Sequence, residues 1–314
     1  MGKLEEMDKD LIIEKYKEFG SLTELAKLFS VSLETIRKYF IKNDIPYTKS
    51  VVYKVNHDFF SKDNEESFYW AGFIAADGCI EKTKPRIVIC LKDTDCKHLD
   101  KFRNSVETDA PLVFTTRTDK RKGFKSGKYY SCRIRITSKK MVNDLKRFNI
   151  TSCKSKTFEF PKHLLNNKYI KHFIRGLIDG DGGIYYNKKH PYIFLCGTKD
   201  CVESVASYFN KHVENKITIR KNKNLYSFCI GHIKSIKNIL NDIYDCSVYL
   251  NRKKEKVDKI LKHKDMYLEI DRQKLLDLYK KYKNIKKVAK ELGCSFCTVN
   301  RRIIKFKIRE ELGL

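Results

Sequence analysis

Apolar residues recur along this chain in three rhythms. Two runs are apolar almost without interruption, Trp70-Ala-Gly-Phe-Ile-Ala-Ala-Asp77-Gly78 and Ile174-Arg-Gly-Leu-Ile-Asp-Gly-Asp181-Gly182, and both close on Asp-Gly. Their spacing predicts helices. Gly72 and Ala76 lie about one turn apart, as do Gly176 and Gly180, so each helix carries small residues on one face. Such stripes let two helix backbones approach closely, and that contact must offset the cost of Gly inside a helix. Gly78 and Gly182, after the acids, suit the left-handed residue that ends a helix.

The second rhythm is strict alternation. Residues 86–92 set Ile87, Ile89 and Leu91 against Arg86, Val88, Cys90 and Lys92. Residues 128–137 set Ile134 and Ile136 against Arg133 and Arg135, and residues 216–220 set Ile217 and Ile219 against Lys216, Thr218 and Arg220. Period two with one apolar side predicts half-buried antiparallel strands whose other side is polar and largely basic. Helical patterns, the third rhythm, follow at 95–106, 139–148, 200–212 and 233–243. Each half of residues 66–263 therefore reads helix, two strands, helix, two strands, helix, an α+β unit used twice.

The termini form a separate duplication. Residues 8–45 align without a gap on 271–308, placing Tyr16 on Tyr279, Ala26-Lys27 on Ala289-Lys290, Ser32 on Ser295 and Thr35 on Thr298. A helical apolar rhythm is interrupted near Ser30 in one copy and Gly293 in the other, which predicts helix, tight turn, helix. Pro46 stops the first copy. The organisation expected is a small all-α module at 1–47, a polar linker at 48–65, one repeat at 66–160, a second at 161–263, and another all-α module at 264–314 after a short linker around 263–269.

Charge narrows the partners. Lys and Arg number 66 against 39 Asp and Glu, a formal charge of +27 that self-repels unless a polyanion is at hand. Nucleic acid is the leading candidate. No apolar run approaches the roughly 20 residues needed to span a membrane, and the start, Met1-Gly-Lys-Leu-Glu-Glu, is neither a signal peptide nor a myristoylation site, Glu6 standing where Ser or Thr is needed. The 11 cysteines are scattered and odd in number, which reads as reduced thiols in a cytoplasmic or other reducing, DNA-containing compartment, not a secreted protein. Cys294 and Cys297 form one C-x-x-C with no second pair to complete a zinc site, and none of the 8 histidines forms a ligand pair.

The candidate chemistry lies at the two Asp-Gly ends. If the small-residue stripes pack together, Asp77 and Asp181 meet at the negative ends of two helix dipoles, which is unfavourable without a cation. Hard carboxylate oxygens favour Mg²⁺ (or Mn²⁺), with the remaining ligands from water and a phosphate backbone.

These runs resemble the two LAGLIDADG motifs of single-chain homing endonucleases, over roughly residues 66–261. The eighth-position acids fall on Asp77 and Asp181; the sixth-position acid is present as Asp179 but is Ala75 in the first copy, and Arg175 stands where Ala is usual. The resemblance implies two pseudo-symmetric αββαββα halves forming a DNA-binding saddle. It also implies a monomer that cuts both strands of a long, non-palindromic double-stranded target, leaving a short 3′ overhang. Metal would be held by Asp77 and Asp181 with the carbonyls of Ala76 and Gly180. Lys154 and Lys253 would lie beside it, with Lys254 as the alternative register, and Lys92 would occupy a polar position near the site whose counterpart is Gly197. Arg86, Arg133, Arg135, Lys216, Thr218 and Arg220 would face the major groove or phosphates.

Both terminal copies resemble helix-turn-helix modules, with reading helices at 32–42 and 295–305. Thr35, Arg37 and Lys38, beside Glu34, lie on one exposed face; Thr298, Asn300, Arg301 and Arg302, beside Phe296, lie on the other. Arg pairs with guanine and Asn with adenine, although a three-helix module can also contact protein. Two other classes use the same scaffold: a non-cleaving transcription regulator, and an RNA-binding intron maturase. Retention of both acids favours the nuclease.

Overall fold

The computed structural model describes residue 4 and residues 7–47, 53–118, 128–187, 191–263 and 271–313. The chain forms two compact units, residues 1–176 and 177–314.

The first unit opens with α1 (Lys9–Phe19), α2 (Leu22–Leu28) and α3 (Leu33–Lys42). Asp8 and Ser32 cap α1 and α3 by accepting from Asp10 N and Thr35 N, and Gly20 ends α1 in the left-handed region at φ 61°. Ile12, Leu25, Ile36 and Phe40 are buried between the three helices.

Next come α4 (Glu65–Asp77), β1 (Gly78–Ile80), β2 (Arg86–Lys92), α5 (Cys96–Ser105), β3 (Val113–Thr118), β4 (Lys128–Thr137) and α6 (Lys139–Asp144). The strands form an antiparallel sheet of order β1-β2-β4-β3. Ile87, Ile89, Leu91, Cys132, Ile134 and Ile136 point to its buried face, where α5 and α6 lie.

The second unit repeats the order. After α7 (Ile170–Gly180), which the division between units crosses, come β5 (Gly182–Tyr185), β6 (Tyr192–Gly197), α8 (Lys199–Phe209), β7 (Ile219–Asn222), β8 (Leu225–Ile230) and α9 (Ile233–Ile243). The sheet order is β5-β6-β8-β7, again antiparallel. The fold is thus mixed α and β with two four-stranded sheets, in the αββαββα order expected. An added helix, α10 (Asn251–Leu261), packs on β5. The chain ends in α11 (Arg272–Tyr282), α12 (Ile285–Glu291), α13 (Phe296–Lys305) and α14 (Ile308–Glu311), around a core that includes Leu275, Val288, Val299 and Ile303.

Four expectations are corrected. Residues 53–63 of the expected linker are anchored: Phe59 and Phe60 are buried, Asn56 N donates to Val106 O at 2.9 Å, and His57 Nδ1 meets Ser138 Oγ at 2.8 Å. Burying two aromatic rings outweighs the stretch's polar composition. Residues 48–52 and the second linker beyond His263 lie outside the described residues. The strand expected at 216–220 begins only at Ile219, because Ile217 N donates to the Asn210 side chain at 3.2 Å instead of to a ladder, so Lys216 and Thr218 precede the strand. Helices 139–148 and 200–212 each finish as a short 3₁₀ turn. Gly78 is extended, at φ −87° and ψ 165°, and Gly182 also lies outside the left-handed region. Their glycine is required by crowding: a Cβ would fall 2.7 Å from Ile74 Cα in one case and 2.8 Å from Ile178 Cα in the other, because the strand leaves directly over its own helix.

Candidate functional site

Helix α4 is buried from Ser67 through Ala75, an apolar cylinder with no solvent face. Its start is fixed by a capping box in which Asn64 and Ser67 satisfy each other's backbone N–H groups. At Gly72 a Cβ would come 2.0 Å from Phe173 O, and at Gly176 it would come 2.2 Å from Tyr69 O. The two helices therefore cross backbone to backbone at these glycines, the contact the small-residue stripes predict. Beside the crossing, Arg175 is 0 % exposed. Its guanidinium pairs with Glu65 at 3.1 Å, donates to His172 Nδ1 at 2.5 Å and lies 4.9 Å from the Tyr69 ring centroid. A cation so deeply buried persists only with such partners.

Asp77 is the last residue of α4 and Asp181 follows the last residue of α7; both are exposed. A buried lysine braces each of these turns from behind. Lys154 Nζ donates to Gly78 O at 2.7 Å. Lys253 Nζ donates to Ile178 O and Asp179 O, each at 2.6 Å, and to Gly182 O at 2.7 Å, with Gly180 O at 3.5 Å. Lys254 instead pairs with Asp258 at 2.6 Å, so of the two lysines it is Lys253 that reaches the turn. Each ammonium opposes the partial negative charge at a helix C-terminus. The polypeptide reaches these positions through Cys153 at φ 61°, which starts the 3₁₀ turn Lys154–Lys156, and through the first turn of α10.

Sequence reasoning missed the part played by Asp179. It is fully buried, accepting from Tyr244 Oη at 2.5 Å and from Leu250 N, at the start of α10, at 2.8 Å. The sixth-position acid thus anchors α9 and α10 to α7. In the first copy the corresponding positions are Ala75 and Leu145, which precedes Lys154 by the same number of residues as Tyr244 precedes Lys253; both are buried and apolar. The acid and its hydroxyl partner are present together in one copy and absent together in the other, a match readable from the sequence once both lysines are aligned.

Lys92 is exposed at the end of β2, beside Ser131 in register. Its expected counterpart Gly197 is corrected by the register: Gly78 pairs with Ile89 and Gly182 with Leu195, so Gly197 corresponds to the inward-facing Leu91 and Lys92 corresponds to Thr198, which caps α8. Burial pushes the Cys201 thiol up to about 12, assisted by the negative charge of Asp181 and Asp200, so this thiol is no nucleophile. All 11 cysteines are free, and no group of three or more His, Cys, Asp or Glu side chains gathers among the described residues. Each acid turn offers one exposed carboxylate with backbone carbonyls, an all-oxygen donor set that suits a hard divalent ion keeping several waters. Asp77 with Ala76 O, and Asp181 with Gly180 O, are the groups that would hold it.

The outward faces of the two sheets differ. Arg86, Lys92, Arg133 and Arg135 share one face of the first sheet, the pairs Val88–Arg135 and Cys90–Arg133 lying in register. Arg86 is partly engaged, donating to Thr137 Oγ1 at 3.0 Å and to Glu81 at 3.3 Å. On the second sheet the corresponding face carries Tyr185, Tyr192 and Phe194, with Arg220 exposed on its edge strand.

The terminal modules superimpose in sequence helix for helix. Ser32 and Ser295 cap α3 and α13, the helices expected to read bases, through bonds from Thr35 N and Thr298 N, and each Ser Oγ also meets the Thr hydroxyl at 2.8 Å. The Thr35 and Thr298 hydroxyls are therefore engaged in capping. Arg37 and Lys38 are exposed on α3, Arg37 lying 3.9 Å from Glu34, whereas Arg301 is exposed on α13 with Asn300 half-buried. Arg302 turns toward the Phe306 ring, 5.8 Å away.

Residues 261–309 match the helix-turn-helix domain family. A curated relative, the replication factor C small subunit of Methanocaldococcus jannaschii, is 22% identical over 221 residues, 68% of this chain but only 11% of that protein. Among solved structures, the homing endonuclease I-WcaI bound to its DNA recognition sequence has a TM-score of 0.48 at 18% identity, covering 64% of this chain and 90% of that one. Full-length DUF199/WhiA from Thermatoga maritima gives 0.42 at 14% identity over 82% and 96%. The LAGLIDADG meganuclease I-AabMI bound to uncleaved DNA gives 0.42 at 13% identity over 73% and 97%. No helix among the described residues is long and apolar enough to cross a membrane.

Proposed function

We propose that this chain is a sequence-specific, Mg²⁺-dependent endonuclease of double-stranded DNA that acts as a monomer, each half serving one strand. The observation that carries this reading is the repeated acid turn: an exposed carboxylate at a helix C-terminus, backed by a buried lysine on the carbonyls of the same turn. A divalent ion bound there would polarise the scissile phosphate and acidify an attacking water. Asp77 and Asp181 are the carboxylates that would hold such an ion, one at each turn. Lys154 and Lys253 keep the turns rigid and offset the helix-end charge, so that a second negative group, the phosphate, is tolerated nearby. No side chain among the described residues is placed as a general base, and solvent accepts the proton. The basic sheet face and the reading helices α3 and α13 supply phosphate and base contacts, lengthening the target.

The test is selection of bound duplexes from a randomised library in Ca²⁺, followed by addition of Mg²⁺. Cutting of both strands at one position is expected. Asp77→Asn and Asp181→Asn should each slow cutting of one strand on the order of 10²–10³-fold and leave a nicked product, with binding retained. A non-cleaving regulator is the second reading, favoured by one observation: the Lys253 ammonium already lies among the carbonyls from Ile178 to Gly182. Tight duplex binding with intact strands would establish it.

A further inference from the structure

The outward face of the second sheet is aromatic where a polar face is ordinary. Tyr185 and Phe194 are 44% and 36% exposed, and Tyr192 lies between them. Tyr185 and Tyr192 are cross-strand partners with centroids 4.8 Å apart and planes 21° apart, and Tyr192 continues to Phe194 at 6.1 Å. Phe194 lies flat over Gly183, where a Cβ would come 2.0 Å from its Cε1. The ladder is thus built and locked, and solvated apolar area of this kind on a sheet marks a contact surface.

Resting on the duplex-cutting reading above, we infer that this ladder reads the C5-methyl groups of thymine in the major groove, so that one half of the target is recognised through methyls and the other, under the arginine face, through guanine. Arg220 on the edge of the same face supplies the attraction to phosphate, and the chain's +27 charge makes a polyanion the occupant. The only apolar group that a duplex offers in its major groove is the thymine methyl. Stacking of single-stranded bases, the other use of sheet aromatics, needs free ring faces. Here Tyr185 and Tyr192 each spend one ring face on the other and Phe194 spends one on Gly183, so none of the three can be sandwiched between two bases.

The experiment uses the full chain and its selected duplex, with each thymine replaced singly by deoxyuridine, which removes the methyl and preserves pairing. Affinity should fall about three- to fivefold per contacted methyl, and only in one half of the site. Tyr185→Ala and the milder Phe194→Leu should each abolish that sensitivity, while Arg135→Ala should not. In the other half, 7-deazaguanine should weaken binding and Arg135→Ala should remove that effect. A duplex that is bound and cut with no response to deoxyuridine overturns the inference alone. Tighter binding of single-stranded oligonucleotide or RNA than of any duplex, weakened by Tyr185→Ala, overturns both it and the duplex reading.

Discussion

The first repeat buries two apolar residues, Ala75 and Leu145, at the positions where the second buries a carboxylate, Asp179, and the Tyr244 that holds it together with Leu250 N. It also presents arginines where the second presents aromatic rings. The backbone order and sheet topology are the same in both. One architecture therefore tolerates opposite solutions in its interior and on its working face, provided each solution is complete. A buried carboxylate is stable because both its oxygens accept bonds; buried apolar residues are stable because they need none.

That comparison can be broken most forcefully at Asp179. Asp179→Ala leaves a buried hydroxyl and a helix-start N–H without their acceptor and should cost about 3–4 kcal/mol, read by denaturant unfolding. Asp179→Ala combined with Tyr244→Leu copies the first half and should recover at least half of that loss. Equal destabilisation by the single and double variants would show that the halves are not interchangeable here.

Glycine gives the next contrast. Gly176→Ala forces a Cβ to 2.2 Å from Tyr69 O, a rigid backbone atom, so the helices must part at a cost of about 2–3 kcal/mol. Gly197→Ala meets nothing closer than 3.9 Å at an ordinary φ and should be neutral, or stabilising by up to about 1 kcal/mol. Thermal unfolding of the two proteins separates a glycine needed for contact from one that is merely allowed.

Much of this was legible in the chain. Strand β4 falls at 128–137 as the alternation predicts, α9 at 233–243, and the two terminal modules carry their helices in the same register because cap residues and apolar positions repeat together. The acids were legible because Asp-Gly follows an apolar run twice. What escaped was tertiary in origin. Whether Ile217 joins a ladder depends on a distant Asn210 side chain, and whether Gly78 turns left-handed depends on where the next strand goes. Arg175 looked like a departure from pattern until Glu65, His172 and Tyr69 were seen around it. The aromatic face was readable in principle, since Tyr192 and Phe194 occupy the polar phase of an alternating strand.

The working faces differ in electrostatics as well as in chemistry, which salt should expose. Arg220→Ala, at the residue assigned to phosphate, should reduce the slope of log affinity against log salt by about 1, whereas Arg135→Ala, assigned to guanine, should chiefly relax specificity at its base pair. Tyr185→Ala should weaken binding with the slope unchanged, because removing an apolar contact releases no counterion.

The last contrast concerns acids that tie the third helix of each half. Asp242 on α9 accepts from Tyr208 Oη at 2.8 Å and His212 Nε2 at 2.9 Å, and Asp144 on α6 from Ser61 Oγ at 2.6 Å and Lys140 Nζ at 3.0 Å. Burial alone would raise both carboxyls, but bonds from His212, Tyr208 and Lys211 in one case, and from Ser61 and Lys140 in the other, outweigh it and hold both below the usual carboxylate range. A carboxyl lowered by folding contributes stability that is fully present above its unfolded pKa of about 3.9. That contribution is lost as pH falls through the folded value. Asp242→Asn and Asp144→Asn should therefore each cost about 1–2 kcal/mol at pH 7, with the deficit shrinking below about pH 4. Lys140 is about half exposed, so solvent screens its pair with Asp144, and Asp144→Asn should show the smaller pH-dependent part of the two. Unfolding measured from pH 7 to pH 3 checks the sign: a deficit that grows on acidification would mean that the carboxyls are raised by their burial rather than lowered by their partners.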